Sequence, residues 1–134
     1  MKYFGSILDF TSQRNEDLMR VFHQKISEAP FIVMTDIFEQ VSESPSSRFW
    51  VSEERAAIVM SRLFKGKSIS HMRPNKKEMF LEIFRRVSDL RQSYPEKSLF
   101  ELTSIVVNSP APKFYLTPRS VGEFIYRIKN GFYD

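Results

Sequence analysis

An all-α fold is what this sequence predicts, and three observations predict it. Apolar residues recur at three- and four-residue spacings along most of the chain, the stretches with that period are bounded by capping residues, glycines or prolines, and a block of about 65 residues occurs twice. The repeat is clearest where Ser44-Pro45-Ser46-Ser47-Arg48-Phe49-Trp50-Val51-Ser52 aligns with Ser109-Pro110-Ala111-Pro112-Lys113-Phe114-Tyr115-Leu116-Thr117 at a constant offset, 114 − 49 = 65. Without a gap, Ala56, Val59, Met60, Leu63 and Gly66 then fall on Val121, Phe124, Ile125, Ile128 and Gly131. The expectation is a tandem duplication of a three-helix, helix-turn-helix-like unit, the copies spanning residues 14–66 and 74–131. A lone unit of that size buries a marginal core, so the two copies are expected to pack as one compact domain.

In the first copy, Leu18, Met19, Val21, Phe22 and Ile26 mark an amphipathic helix that stops before Pro30, while residues 1–13 form a lead-in without an assigned element. Thr35 is the expected N-cap of a short helix through about Glu43, ended by Ser44-Pro45. Arg48 to Val51 is aromatic and β-branched and reads as extended. Ser52 followed by Glu53 and Glu54 then opens a third helix that runs to Gly66. In the second copy, Pro74 suits the first turn of a long helix ending before Pro95, Ser98 and Glu101 open a helix through about Asn108, and Thr117-Pro118 starts a last helix closed by Asn130-Gly131. The segments 48–51 and 113–116 are placed to pair as a very short two-stranded antiparallel ladder.

Composition narrows the function. With no cysteine there is no disulfide, thiolate metal site or cysteine nucleophile, and only His23 and His71 offer imidazoles. Glu78 and Glu82 sit at i, i+4, as do Glu39 and Glu43, but no Glu-x-x-His accompanies either pair, and four scattered glycines build no phosphate loop. The expectation is a non-enzyme with no cofactor and no bound metal. No apolar run reaches the roughly 18 residues that span a bilayer, which points to a cytoplasmic protein without a membrane partner.

Charge is uneven. Residues 1–43 hold four Lys/Arg against seven Asp/Glu, and residues 44–134 hold sixteen against nine, so the formal charges are −3 and +7. That asymmetry points to nucleic acid, with DNA the first choice. In the last helix, Val121, Phe124, Ile125 and Ile128 form the core stripe, leaving a polar and basic face for a groove. The nucleic-acid contacts expected there are Lys113, Arg119, Tyr126, Arg127 and Lys129. Lys65, Lys67, Arg73, Lys76 and Lys77 form a second basic cluster around the inter-repeat linker. Lys113 or Arg48 beside an aromatic also suits a phosphate arm. The connection from Ser109 to Leu116 is longer than the three or four residues of a helix-turn-helix. The alternative is a protein-interaction or self-assembly module docking through the duplicated aromatic turns Phe49-Trp50 and Phe114-Tyr115, with Trp50 and Tyr115 the more reachable rings.

The string Ser47-Arg48-Phe49-Trp50-Val51-Ser52-Glu53-Glu54-Arg55-Ala56, with Pro112-Lys113-Phe114-Tyr115-Leu116-Thr117-Pro118, resembles a group of small uncharacterised bacterial proteins common in Bacteroides-type genomes. The resemblance covers most of the chain from about residue 15. It implies a bacterial cytoplasmic origin and supplies no site residues.

Overall fold

Six helices carry the regular structure: α1 Lys2–Glu28, α2 Met34–Ser42, α3 Glu53–Phe64, α4 Pro74–Ser93, α5 Leu99–Val107 and α6 Pro118–Lys129. The computed structural model describes residues 2–133, with side chains from residue 10 onward. No strand occurs among the described residues, and none of their helices is long and apolar enough to cross a membrane.

Local chemistry accounts for most of the boundaries. Ser52 Oγ, Ser98 Oγ and Thr117 Oγ1 each accept the backbone N–H three residues on, from Arg55, Glu101 and Ser120, all at 3.1 Å. Each thereby satisfies a donor that the helix start would otherwise leave open. Helices α3 and α6 end alike. Gly66 and Gly131 take φ of +79° and +70°, so that Gly66 N–H reaches Leu63 O at 3.0 Å and Lys67 N–H reaches Arg62 O at 3.0 Å. At the end of α6, Gly131 N–H reaches Ile128 O at 3.2 Å and Phe132 N–H reaches Arg127 O at 2.9 Å. This is the Schellman arrangement, which needs a left-handed residue at that one position. The spans 34–42 and 53–64 recur as 99–107 and 118–129, and α1 and α4 end at 28 and 93, all at the same 65-residue offset.

Three boundaries differ from expectation. The lead-in 1–13 is helical from Lys2 onward, because nothing there except Gly5 opposes continuation of α1. Helix α2 starts at Met34 with Val33 at the N-cap, and Val33 makes no capping bond, so Thr35 lies inside the helix. The expected ladder is absent, and segments 48–51 and 113–116 are bends and irregular backbone. Arg48 donates to its own segment instead, Nε to Phe49 O at 3.0 Å and NH2 to Val51 O at 2.9 Å. At Tyr115 the backbone turns left-handed, φ +59°. A two-stranded pair with so few residues has little to hold it against such local bonds.

The described residues form two compact units, residues 1–46 with 112–134 and residues 47–111. This grouping differs from the expected 14–66 and 74–131 in the placement of one helix per copy: α6 belongs with α1 and α2, and α3 belongs with α4 and α5. In the first unit, α1 buries Leu18, Val21 and Phe22, α2 buries Ile37 and Val41, and α6 buries Val121 and Ile125. The Arg14 guanidinium lies 4.3 Å over the Phe124 ring, tying α1 to α6. A Cβ on Gly122 would lie 2.8 Å from Phe38 Cε2, so the absent side chain is what lets the ring lie against α6. That ring in turn stacks on Phe22, centroids 6.4 Å apart, and has little freedom to retreat. Gly122→Val should therefore lower stability by roughly 1–3 kcal/mol despite the gain in helix propensity over glycine, as read by urea unfolding.

The second unit buries Phe49, Ala56, Val59, Met60, Phe80, Ile83, Val87, Leu102, Val106 and Val107. Phe64 and Phe84 meet at 4.6 Å between centroids. Glu53, at the start of α3, accepts from Ser104 Oγ on α5 at 2.8 Å and from Nδ2 of Asn108, the α5 C-cap, at 2.6 Å. Those bonds, Ser104 first and then Asn108, hold the Glu53 carboxyl below its ordinary 4.5, with Arg48 adding attraction and burial opposing it. A depressed carboxylate stabilises the fold above its unfolded pKa, and that stabilisation is lost as pH falls through the folded value. Glu53→Gln should cost roughly 1 kcal/mol at pH 7. In chemical unfolding across pH, the gap to wild type should begin to close near pH 4.5 and vanish below it.

Candidate nucleic-acid interface

Helix α6 is positioned by its N-terminal cap and by the burial of Val121 and Ile125 in the first unit. Helical geometry then turns Arg119, Glu123, Tyr126, Arg127 and Asn130 away from that core. The α6 span carries Arg119, Arg127 and Lys129 against Glu123 as its one acid. Arg119 Nε lies 3.3 Å from Glu123 Oε1, but both side chains are exposed, so the pair is weak and easily exchanged for another anion.

Tyr126 is 70% exposed and Phe132 69%. The Arg127 guanidinium sits 5.4 Å from the Phe132 ring centroid, so cation and aromatic plane share one surface. The Schellman turn at Gly131 creates this juxtaposition, since it folds Phe132 N–H back onto Arg127 O. Asn130 Nδ2 donates to Tyr126 O at 2.7 Å and braces the same turn. An open groove between α2 and α6 adjoins this surface, lined by Phe38, Arg119, Gly122, Glu123, Tyr126 and Arg127.

The remaining expected contacts fare differently. Lys129 Nζ lies 4.8 Å from the centroid of the buried Phe22 ring, so its ammonium head is engaged by a core aromatic although the residue is exposed. Lys113 is half-buried with Nζ 5.8 Å from the Tyr115 ring, and its carbonyl accepts from Ser46 Oγ at 3.2 Å. The first unit thus brings Arg119, Tyr126 and Arg127 together on one helix face, with Lys129 and Lys113 partly committed to packing. Lys65, Lys67, Arg73, Lys76 and Lys77 all belong to the second unit. There Lys65 closes α3, Arg73 stands at the N-cap of α4, and Lys76 and Lys77 lie in the first turn of α4. None of these five has an ion-pair partner among the described residues, and all but half-buried Lys77 are exposed.

Two expectations about the aromatic turns are corrected. Tyr115 is only 8% exposed, and Phe49 and Phe114 are buried too, leaving half-buried Trp50 as the reachable ring. Arg48 is unsuited to a phosphate arm: burial lowers its guanidinium pKa, its donors serve Phe49 O and Val51 O, and its charge lies 5.2 Å over Trp50. Phe132 is not marked by helical spacing, because it follows the closing glycine and so falls outside any helical period. A basic residue at the C3 position of a Gly-terminated helix with an aromatic just past the glycine was the available signal. No protein-family model, curated protein or solved structure matches the chain.

Proposed function

We propose that the chain binds single-stranded nucleic acid through the basic and aromatic face of α6. In this reading unpaired bases stack on Tyr126 and Phe132 while Arg119 and Arg127 meet phosphates. The observation that carries it is the pair of well-exposed rings flanking Arg127. Leaving two large aromatic faces in water has no benefit for folding, and bases stack on such faces whatever their identity. The exposed lysines and arginine at 65–77 would add sequence-independent, salt-sensitive attraction to phosphate.

Duplex recognition by a helix-turn-helix is the less favoured form of this reading. A recognition helix needs the preceding helix packed across it, whereas the helices grouped with α6 are α1 and α2 and not α5. Docking through the duplicated aromatic turns is likewise disfavoured, because three of its four rings are buried. We further infer that the 65-residue recurrence of caps, helix ends and left-handed glycines records a tandem duplication, with one of the two α3/α6-type helices elaborated for binding.

The test is substitution on the face itself. Tyr126→Ser combined with Arg127→Glu should weaken binding of a single-stranded RNA or DNA by at least about tenfold, and leave the unfolding midpoint nearly unchanged because both residues are exposed. Unaltered affinity in this variant would sink the proposal.

A further inference from the structure

A second surface in the first unit is built oppositely, from exposed apolar residues rimmed by acids. Between α1 and α2, Phe31 is 77% exposed and Ile32 55%, and Val33 and Met34 continue the exposed run. Four consecutive exposed hydrophobes are unusual on a surface where single ones need no explanation. The corresponding residues one repeat later are Glu96, Lys97, Ser98 and Leu99, where Ser98 caps α5. Here Val33 occupies the N-cap position and caps nothing. The chain thus forgoes a stabilising cap and gains an apolar surface instead.

We infer that residues 30–34 and the first turns of α2 form a docking site for a polypeptide segment of a partner protein, one presenting apolar side chains flanked by lysine or arginine. Shape supports this: a concavity of about 290 Å³ opens beside the run, lined among others by Glu28, Pro30, Phe31, Val33, Asp36 and Ile37. It lies at the lower limit of ligand-sized pockets and suits one or two inserted side chains. Charge supplies the rest of the identification. From Ile26 to Ser47 the chain holds Glu28, Asp36, Glu39 and Glu43 and no lysine or arginine. Glu28 is shared with Lys25 at 3.5 Å, while Asp36, Glu39 and Glu43 have no ion-pair partner among the described residues.

The same acids argue against other occupants. A symmetric contact with a second copy would gather Glu28, Asp36 and their duplicates around one interface, where like charges repel. An anionic membrane surface or a nucleic-acid backbone meets the same repulsion. A basic, apolar peptide meets none, and its charges would also speed encounter.

Random peptides displayed on phage should be selected against the full-length protein and counter-selected against Phe31→Ser/Ile32→Ser. Both positions are exposed, so this variant should keep the wild-type melting midpoint, and Val33→Ser provides an independent second variant whose midpoint is expected to hold or rise. Enriched peptides should carry apolar anchors with flanking Lys/Arg. The tightest one should lose about tenfold or more in affinity on both variants, lose affinity on Asp36→Lys, and bind normally to Tyr126→Ser/Arg127→Glu. Acidic or uncharged enriched sequences, or enrichment indifferent to residues 31–33, would overturn the proposal. A wild-type dimer abolished by Phe31→Ser/Ile32→Ser would instead assign the face to a second copy, and vesicle binding abolished by it would assign the face to lipid. Either result overturns the peptide assignment.

Discussion

A fragment of residues 47–111 is expected to fold by itself as a helical monomer, whereas a fragment of residues 74–131, the span expected to be the second copy, is not. The first contains α3, α4 and α5, the three helices that form one compact unit. It keeps every buried side chain of that unit, from Phe49 to Ala111, and the Glu53 bonds to Ser104 and Asn108. At 65 residues its core is small but within the range of independently folding domains. The second fragment keeps α4 and α5, removes α3 from beside them, and carries α6 without α1 and α2. In principle α6 could take the place of α3. However, it brings Pro118 where α3 has Glu53, so it supplies no carboxylate to accept from Ser104 and Asn108. Circular dichroism should show a cooperative thermal transition for 47–111 and a broad, weakly helical profile for 74–131. Cooperative folding of 74–131 as a monomer would mean that α6 does replace α3, and that this span is itself a folding unit.

Truncation of Phe49 should be the most damaging single substitution. Its ring is completely buried, its N–H donates to Val107 O at 3.0 Å, and the Arg86 guanidinium covers it at 5.0 Å from the centroid. Arg86 is fixed from two other directions, Nε to Glu82 at 2.7 Å and NH1 to Pro110 O at 2.9 Å, so the roof cannot settle into the space left behind. Phe49→Ala is therefore expected to cost about 3–5 kcal/mol, and to lower the midpoint by roughly 10 °C or more. Phe31→Ala, removing an equal ring from an exposed position, should change stability by less than about 0.5 kcal/mol. Similar losses for the two variants would contradict the assignment of core and surface.

The helical class and nearly all helix ends were legible in the sequence because they depend on local chemistry: a Ser or Thr ahead of the first turn, proline at the helix start, and glycine where φ must be positive. What local chemistry does not encode is which core an apolar stripe enters. Val121 and Ile125 announce a buried face, yet nothing in their spacing distinguishes α5 from α1 and α2 as neighbours. Phe38 opposite Gly122 is the contact that expresses the choice, and its two members lie far apart in the chain. The aromatic turns misled for a related reason. Alternation would turn Tyr115 outward if the segment were extended, but its left-handed backbone and the self-bonding of Arg48's segment break that alternation. Of the proposed interface, Arg119, Tyr126 and Arg127 were recoverable from helical spacing. Phe132 was not, because a residue beyond a Schellman glycine obeys no period.

The most direct test is fluorescence anisotropy of the intact protein with a single-stranded RNA or DNA and with mixed-sequence duplex DNA, repeated between about 50 and 200 mM salt. The single strand should bind in the micromolar range or tighter at the lower salt, the duplex more weakly, and affinity should fall steeply as salt rises. No binding of the single strand at about 50 mM salt, or binding indifferent to salt, would contradict a nucleic-acid interface on α6.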